Sequence, residues 1–183
     1  MLYLIRHGES LHNVNITQDL DSDLTNLGVE QSHKTGKFLY SKIKRPFVCS
    51  SSFLRASHTG KIISRYFHQS EPVEDILLGE YIYEGAGYAE QLLPYAIKFN
   101  IFSKLETKEE LISRVIKRIN EAKNKTFDVV FITHGGFIDT AINVLNGKNI
   151  VPTWDKSIKN CSITEYDFKT NKFGLFKYTG HLE

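Results

Sequence analysis

Two histidine–glycine pairs follow short apolar segments of this sequence. His7-Gly8 comes one residue after residues 2–5, and His134-Gly135 comes one residue after residues 129–132. A glycine after the histidine permits a positive φ and a close approach of another backbone. A lone histidine in a loop is more often solvated or packed than functional. Two such pairs at equivalent positions instead indicate a shared site.

Two arginines accompany these histidines. Arg6 precedes His7, and Arg55 lies in the first turn of a predicted helix over residues 53–67, where the helix dipole disfavours a cation. At 4 Å and an effective dielectric of 20, each unit-charge pair is worth about 4 kcal/mol, so two guanidinium groups attract a phosphate and repel a divalent metal. The planar arginine fork also matches phosphate oxygens. We therefore predict a phosphate pocket with no metal.

The rest of the sequence excludes several mechanisms of phosphoryl transfer. It lacks a Walker-type glycine loop with its lysine, a Cys-x5-Arg signature, and a His/Asp set with two-metal spacing. An imidazole is then the candidate nucleophile, and its attack on phosphorus gives a phosphohistidine. Because the phosphoryl transition state is loose, donors must surround the equatorial oxygens, a task that suits Arg6, Arg55 and His134. The leaving alkoxide needs a proton, so we expect a carboxylic acid of raised pKa nearby.

The elements that must position these residues have the pattern of a parallel α/β sheet. Residues 2–5 and 129–132 are predicted strands buried on both faces, and residues 47–49 are a weaker third. Ligands bind beyond the carboxyl ends of such strands, which is where the histidines lie. Helices are predicted over residues 28–41, 53–67, 108–123 and 137–145, with a Thr107–Glu110 capping box, and a terminal hairpin over residues 162–168 and 173–177.

Composition bounds the class of protein. With 183 residues we predict a single domain over residues 1–183. A net charge of +2 argues against a general nucleic-acid or membrane-surface binder, and 41% hydrophobic residues argue against disorder. Two cysteines are too few for a disulfide scaffold, and no targeting segment is evident, so we expect a cytoplasmic protein. A monomer or homodimer is the default expectation.

Four segments resemble one family in their order and spacing. Arg6-His7-Gly8-Glu9-Ser10 with Asn13 resembles the opening signature of the histidine phosphatase superfamily, in its phosphoglycerate mutase-like branch. Residues 24–28 with Gln31, residues 50–56 with Thr59, and residues 133–136 are similar to three further motifs of that family. The resemblance covers nearly the whole chain and implies a three-layer α/β/α sandwich with a mostly parallel central sheet.

The resemblance also implies roles for individual residues and no required metal or cofactor. His7 would be the phosphorylated nucleophile. The phosphate pocket would be formed by Arg6, Asn13, Arg55, His134 and Gly135. The family's proton donor follows a Leu-x-Glu pattern, which matches Leu78-Gly79-Glu80 here. Glu80 is therefore the predicted general acid and base, with Glu84 as second choice.

Three functions fit these residues. The leading prediction is a phosphatase acting on a small-molecule phosphomonoester, because this compact sequence looks more like a phosphatase than like a glycolytic mutase. The alternatives are phosphoryl transfer of the phosphoglycerate mutase type and a catalytically inactive module that binds phosphate ligands. The aromatic-rich residues 81–102 are predicted to be a satellite core in preference to a substrate-covering lid.

Overall fold

A six-stranded sheet forms the centre of the computed structural model, which describes residues 1–69, 71–82, 94, 105–148 and 155–183. The strands are β1 Leu2–Arg6, β2 Phe47–Ser50, β3 Val73–Glu74, β4 Val129–Thr133, β5 Ile163–Asp167 and β6 Lys172–Phe173. They lie in the order β3-β2-β4-β1-β5-β6. The first four in that order pair in parallel, and β5 and β6 are antiparallel additions at one edge.

Helices cover both faces of the sheet. They are α1 Asn26–Lys42, α2 Leu54–Tyr66, α3 Lys108–Lys123 and α4 Gly135–Leu145, with 3₁₀ turns at Ile76–Leu78 and Gly180–Leu182. Side chains alternate along a strand, so Leu4 packs with α3 and α4 whereas Ile5 packs with α1 and α2. Both faces of β1 are therefore apolar. The predicted three-layer α/β/α sandwich with a mostly parallel sheet is confirmed.

The predicted elements agree with the observed ones to within a few residues. The capping box at Thr107 and Glu110 is confirmed, and α3 has the predicted bounds. Helix α4 begins at Gly135 instead of residue 137, because two glycines did not indicate a helix start. The second hairpin arm was predicted too long: β6 ends at Phe173, the chain bends at Gly174, and Lys177 adopts a positive φ of 51°.

The parallel register brings three strand ends to one edge. Arg6 lies opposite Thr133, and Ser50 lies opposite Ile132. The chain after each strand therefore leaves the sheet beside its neighbours. Within the described ranges, no helix is both long and apolar enough to cross a membrane.

Candidate active site

His7 is held by its backbone and by one ring nitrogen. Its N–H donates to the carbonyl of Thr133 over 3.0 Å, which continues the β1–β4 pairing past the end of the strand. The ring Nδ1 lies 2.7 Å from the carbonyl oxygen of Gly8, which only accepts, so Nδ1 carries the proton. The lone pair of Nε2 is thereby directed away from the backbone and into the site.

The loop that carries His7 packs tightly on the start of α1. A Cβ added to Gly28 would lie 2.0 Å from the carbonyl oxygen of Glu9, so this position admits only glycine without a shift of the backbone. Thr25 donates to a carboxylate oxygen of Glu9 over 2.8 Å, and Gln31 accepts the Glu9 N–H over 2.9 Å. The segment over residues 24–31 thus acts as a support for the histidine loop.

Arg55 joins the two histidines. Its Nε donates to His7 Nε2 over 3.1 Å, and its Nη2 lies 3.3 Å from His134 Nδ1. Its Nη1 donates to the carbonyl of Leu20. The side chain is 8% exposed, and burial lowers the pKa of Arg55 to about 10. The guanidinium therefore stays charged at neutral pH at the amino end of α2, where the helix dipole opposes it.

His134 stands between Arg55 and a serine. It is the residue before α4, and its ring centroid lies 5.1 Å from that of His7. A guanidinium only donates, so Nδ1 accepts from Arg55, and Nε2, 2.9 Å from Ser51 Oγ, carries the proton. The two imidazoles are thus both placed as neutral rings around one guanidinium.

The protonation state of both rings follows from their surroundings. Burial is the largest cause that lowers the pKa of His7 well below its usual value, and the charges of Arg55 and Arg6 add to it. Burial and Arg55 also lower the pKa of His134. A neutral imidazole is the form that can attack phosphorus.

Arg6 and Asn13 complete the edge of the site. Arg6 donates from Nη1 to the carbonyl of Ile158 over 2.7 Å, while its buried Nε has no hydrogen-bond partner among the described residues. Asn13 is exposed, and its Oδ1 accepts from Asn160 Nδ2 over 3.0 Å and from the Ser10 N–H over 3.2 Å. With the oxygen of Asn13 engaged on both sides, its amide nitrogen is the group left to serve as a donor.

Glu80 reaches the site from the face of the sheet that α3 and α4 cover. Its Oε1 accepts the Gly136 N–H over 3.0 Å and its neighbouring Tyr81 N–H over 2.9 Å, which places the carboxylate at the amino end of α4. Burial lowers the pKa of Arg6 and of Arg55, and in each case the charge of Glu80 opposes that shift. The carboxylate is therefore within electrostatic reach of both cations. Glu84 and most of residues 81–102 lie outside the described residues.

Residues 2–179 match the sequence model of the histidine phosphatase superfamily, branch 1. The chain belongs to this superfamily. It is 26% identical over 183 residues to an uncharacterized phosphatase of Bacillus subtilis named PhoE, covering 96% of this chain and 92% of that one.

Solved structures of a phosphatase and of a mutase share the fold. A phosphoserine phosphatase of Entamoeba histolytica aligns with a TM-score of 0.73 and 21% identity over 100% of this chain and 98% of that one. A phosphoglycerate mutase of Bacillus anthracis aligns with a TM-score of 0.68 and 20% identity over 99% of this chain and 94% of that one. Because both a phosphatase and a mutase carry it, the histidine phosphatase fold does not decide between the two reactions.

The structure brings Arg6, His7, Arg55, His134 and Glu80 together, with Asn13 and Gly135 beside them. Sequence reasoning did not assign a site role to the side chains that orient them. Ser51 holds His134, Thr59 accepts the Gly8 N–H over 3.0 Å, and Asn160 bridges Asn13 to the His7 carbonyl. Ser51 and Thr59 lie in a segment that resembles a family motif, but nothing in the residue types of these three side chains indicated a contact.

Proposed function

We propose that this protein is a phosphomonoester hydrolase that works through a phosphohistidine on His7. The observation that carries the proposal is the neutral imidazole of His7, with Nδ1 fixed by the Gly8 carbonyl and Nε2 directed at the buried Arg55 guanidinium. A nucleophile with its lone pair beside a cation is suited to an anionic electrophile. The phosphatase relative in Bacillus subtilis supports the same reaction class.

In the first step, the phosphoryl group of the ester enters between His7 and Arg55. The N–H groups of Arg55 exchange His7 Nε2 and the Leu20 carbonyl for phosphoryl oxygens, and the Arg6 Nε, which has no partner in the described part of the chain, supplies a further donor. The freed lone pair of Nε2 attacks phosphorus, so that an N–P bond forms while the ester P–O bond breaks. Asn13 and the backbone N–H of Gly135 are two further proposed donors to the oxygens. His134 becomes another when its Nε2–H exchanges Ser51 Oγ for a phosphoryl oxygen.

Proton transfer to the leaving group is assigned to Glu80. One of its oxygens, Oε1, already accepts two N–H groups, so a proton on this carboxyl resides on Oε2. Oε2 gives that proton to the departing alkoxide, which leaves as an alcohol. The carboxylate then takes a proton from water, the water oxygen bonds to phosphorus, and the N–P bond breaks to release inorganic phosphate and neutral His7.

Phosphoryl transfer of the mutase type is the second candidate, because the Bacillus anthracis phosphoglycerate mutase shows that the fold is compatible with it. It would use the same phosphohistidine and return the phosphoryl group to a hydroxyl of a three-carbon acid. Retention of phosphate on that acid, in place of release to water, would identify it. An inactive phosphate-binding module, the third possibility, would bind phosphomonoesters without turnover.

The proposal is tested with a panel of sugar phosphates, phosphoglycerates, nucleotides and phosphoamino acids, together with para-nitrophenyl phosphate. We expect phosphate release that survives a chelator and is lost in His7→Ala. His33→Ala is the matched control, since His33 is an exposed histidine on α1 that contacts Tyr66. Undiminished turnover by His7→Ala, or loss of turnover on chelation, would overturn the proposal. We further propose that the enzyme acts in the cytoplasm as a monomer or homodimer.

A further inference from the structure

A second arginine, Arg114, is buried behind the Glu80 loop. It lies on α3 and is 5% exposed. Its Nε and Nη2 donate to the two carboxylate oxygens of Glu106, the Nη2 bond being 2.8 Å long. Position 114 is on the same helix face as Leu111 and Val115. The apolar residues of that face pack in the core. A charge on such a face needs a specific set of partners.

The remaining N–H groups of Arg114 are directed at the backbone that carries Glu80. Nη1 donates to the carbonyls of Leu77 and Gly79 over 2.8 and 2.9 Å, and Nη2 also lies 3.3 Å from the carbonyl of Glu80. A guanidinium has five N–H donors, and these contacts account for all five. The segment is outside the strand ladder, so these bonds replace the sheet pairing that would otherwise fix it.

The Glu106 partner reaches the same segment from its other side. The Glu106 N–H donates to the carbonyl of Ile82 over 2.7 Å. The ion pair of Arg114 and Glu106 therefore holds the backbone on both sides of the Glu80 side chain. Arg114 binds the carbonyls of Leu77, Gly79 and Glu80, and Glu106 binds the carbonyl of Ile82. The two charges of the pair nearly cancel. The pair therefore affects the site by fixing the position of the backbone more than by its electric field.

We infer that Arg114 is a positioning residue that holds Glu80 where its Oε2 meets the leaving oxygen of the substrate. This inference rests on the proposed role of Glu80 as general acid. A carboxyl group that is displaced by an ångström no longer lies within hydrogen-bond reach of the oxygen it protonates. The backbone on which Glu80 stands is fixed chiefly by Arg114 among the described side chains, together with the Thr133 hydroxyl on Leu78.

The dependence of rate on the leaving group separates positioning from a general loss of structure. An acidic leaving group such as para-nitrophenolate departs without a proton, whereas an alkoxide requires one. We expect Arg114→Lys, which keeps the charge facing Glu106 but not the planar set of five donors, to lower kcat/KM for para-nitrophenyl phosphate by less than about 10-fold. For an alkyl phosphate we expect a loss of about 10²-fold or more, as in Glu80→Gln.

Three comparisons make the test decisive. Adding Arg114→Lys to Glu80→Gln is expected to cause little further loss on alkyl phosphates, because both changes remove the same proton transfer. Lys117→Met, which removes an exposed cation from the same helix, is expected to leave both substrates unaffected. Circular dichroism and urea denaturation establish that each variant is folded; should Arg114→Lys fail to fold, Arg114→Gln with Glu106→Gln is the second variant, with the same expected loss.

Equal losses on the two substrates in Arg114→Lys, with a selective loss in Glu80→Gln, would overturn this inference and leave the proposed function intact. Equal losses in both variants would show that Glu80 is not the proton donor, and the inference would fall with that role. The phosphohistidine itself is decided separately by His7→Ala.

Discussion

Two arginines are buried on opposite faces of the sheet, and their surroundings differ in one respect. Arg114 faces both oxygens of Glu106 and three backbone carbonyls. Arg55 faces two neutral imidazoles and one carbonyl, and no carboxylate of the described residues accepts a hydrogen bond from it. An uncompensated charge in a protein interior costs several kcal/mol. The first arginine is hydrogen-bonded to its counter-charge, whereas the carboxylates of Glu80, Asp21 and Asp19 act on the second only through their field, which leaves its N–H groups for the proposed anionic ligand.

This difference separates a structural ion pair from a proposed binding site whose arginine is about equally buried. Burial alone does not distinguish the two residues, since their side chains are 5% and 8% exposed. The identity of the partners does. A buried cation surrounded by neutral acceptors is preorganised for an anion, and such preorganisation is the largest contribution an enzyme makes to phosphoryl transfer.

Removing the Arg55 charge should have the largest effect on activity. Arg55→Met is expected to lower kcat/KM for para-nitrophenyl phosphate by about 10³-fold or more, because a transferring phosphoryl group loses a charged donor. Steady-state kinetics measures this. Arg65→Met, an exposed arginine in the last turn of the same helix, is the control and should retain full activity. Comparable losses in the two variants would contradict the assignment.

Removing the Arg114 charge should instead act on stability. Arg114→Met leaves Glu106 buried without its partner and is expected to lower the free energy of unfolding by about 3 kcal/mol, as for other broken buried pairs. Arg55→Met should cost clearly less in the same urea titration. Combining Arg114→Met with Glu106→Leu should recover part of the loss, since no charge then remains buried. The comparison fails if the two arginine variants are destabilised equally.

Acid should destabilise the protein through the histidines beside Arg55. Burial and the arginines lower the pKa of His7 and of His134 in the folded state, so below pH about 6.5 the unfolded state binds more protons. The free energy of unfolding should therefore fall with decreasing pH, by up to about 1.4 kcal/mol per pH unit for each such ring. Urea denaturation between pH 7 and pH 5 measures the slope.

Replacing both rings sharpens that measurement. His7→Gln combined with His134→Gln should reduce the dependence of stability on pH to the part that comes from His181, whose pKa burial lowers to about 4. His33→Gln, at an exposed position, should leave the dependence unchanged. A dependence that is flat in the parent protein, or that rises towards acid, would contradict the neutral imidazoles described for the site.

The smallest expected effect is on stability, through the side chain that caps the start of α2 next to Arg55. Asp21 accepts the Leu54 N–H over 2.8 Å at the start of α2. Asp21→Ala should cost about 1 kcal/mol of stability through loss of this cap, while Asp21→Asn, which keeps an acceptor, should cost less. Thermal unfolding compares the two variants, and equal melting temperatures would show that the cap is not what Asp21 contributes.

The sequence predicted the site residues best where they directly follow strands. Arg6, His7 and His134 could be placed together because apolar strands buried on both faces are typical of a parallel sheet, whose carboxyl ends share an edge. Arg55 was identified because a cation in the first turn of a helix is unfavourable unless an anion lies beside it. Each of these deductions depends on a backbone rule that holds whatever the side-chain packing.

The supporting contacts could not be predicted in the same way. Ser51, Thr59 and Asn160 act through single hydrogen bonds whose direction depends on rotamers and on loops. Arg114 did carry a signal, because it interrupts the apolar face of α3, but nothing in the sequence indicates that Glu106 and the Glu80 loop satisfy it. Glu80 was selected by resemblance alone, and its hydrogen bond to Gly136 becomes evident only in three dimensions.

The most direct test of the central claim is to find the phosphoryl group on the protein during turnover. The enzyme is mixed with para-nitrophenyl phosphate, quenched in alkali within its first turnovers, digested and mapped by mass spectrometry. We expect one acid-labile phosphoryl group on His7, absent from His7→Ala. A phosphoryl group on any other side chain, or an initial burst of phenolate with no phosphoryl group on His7, would contradict it.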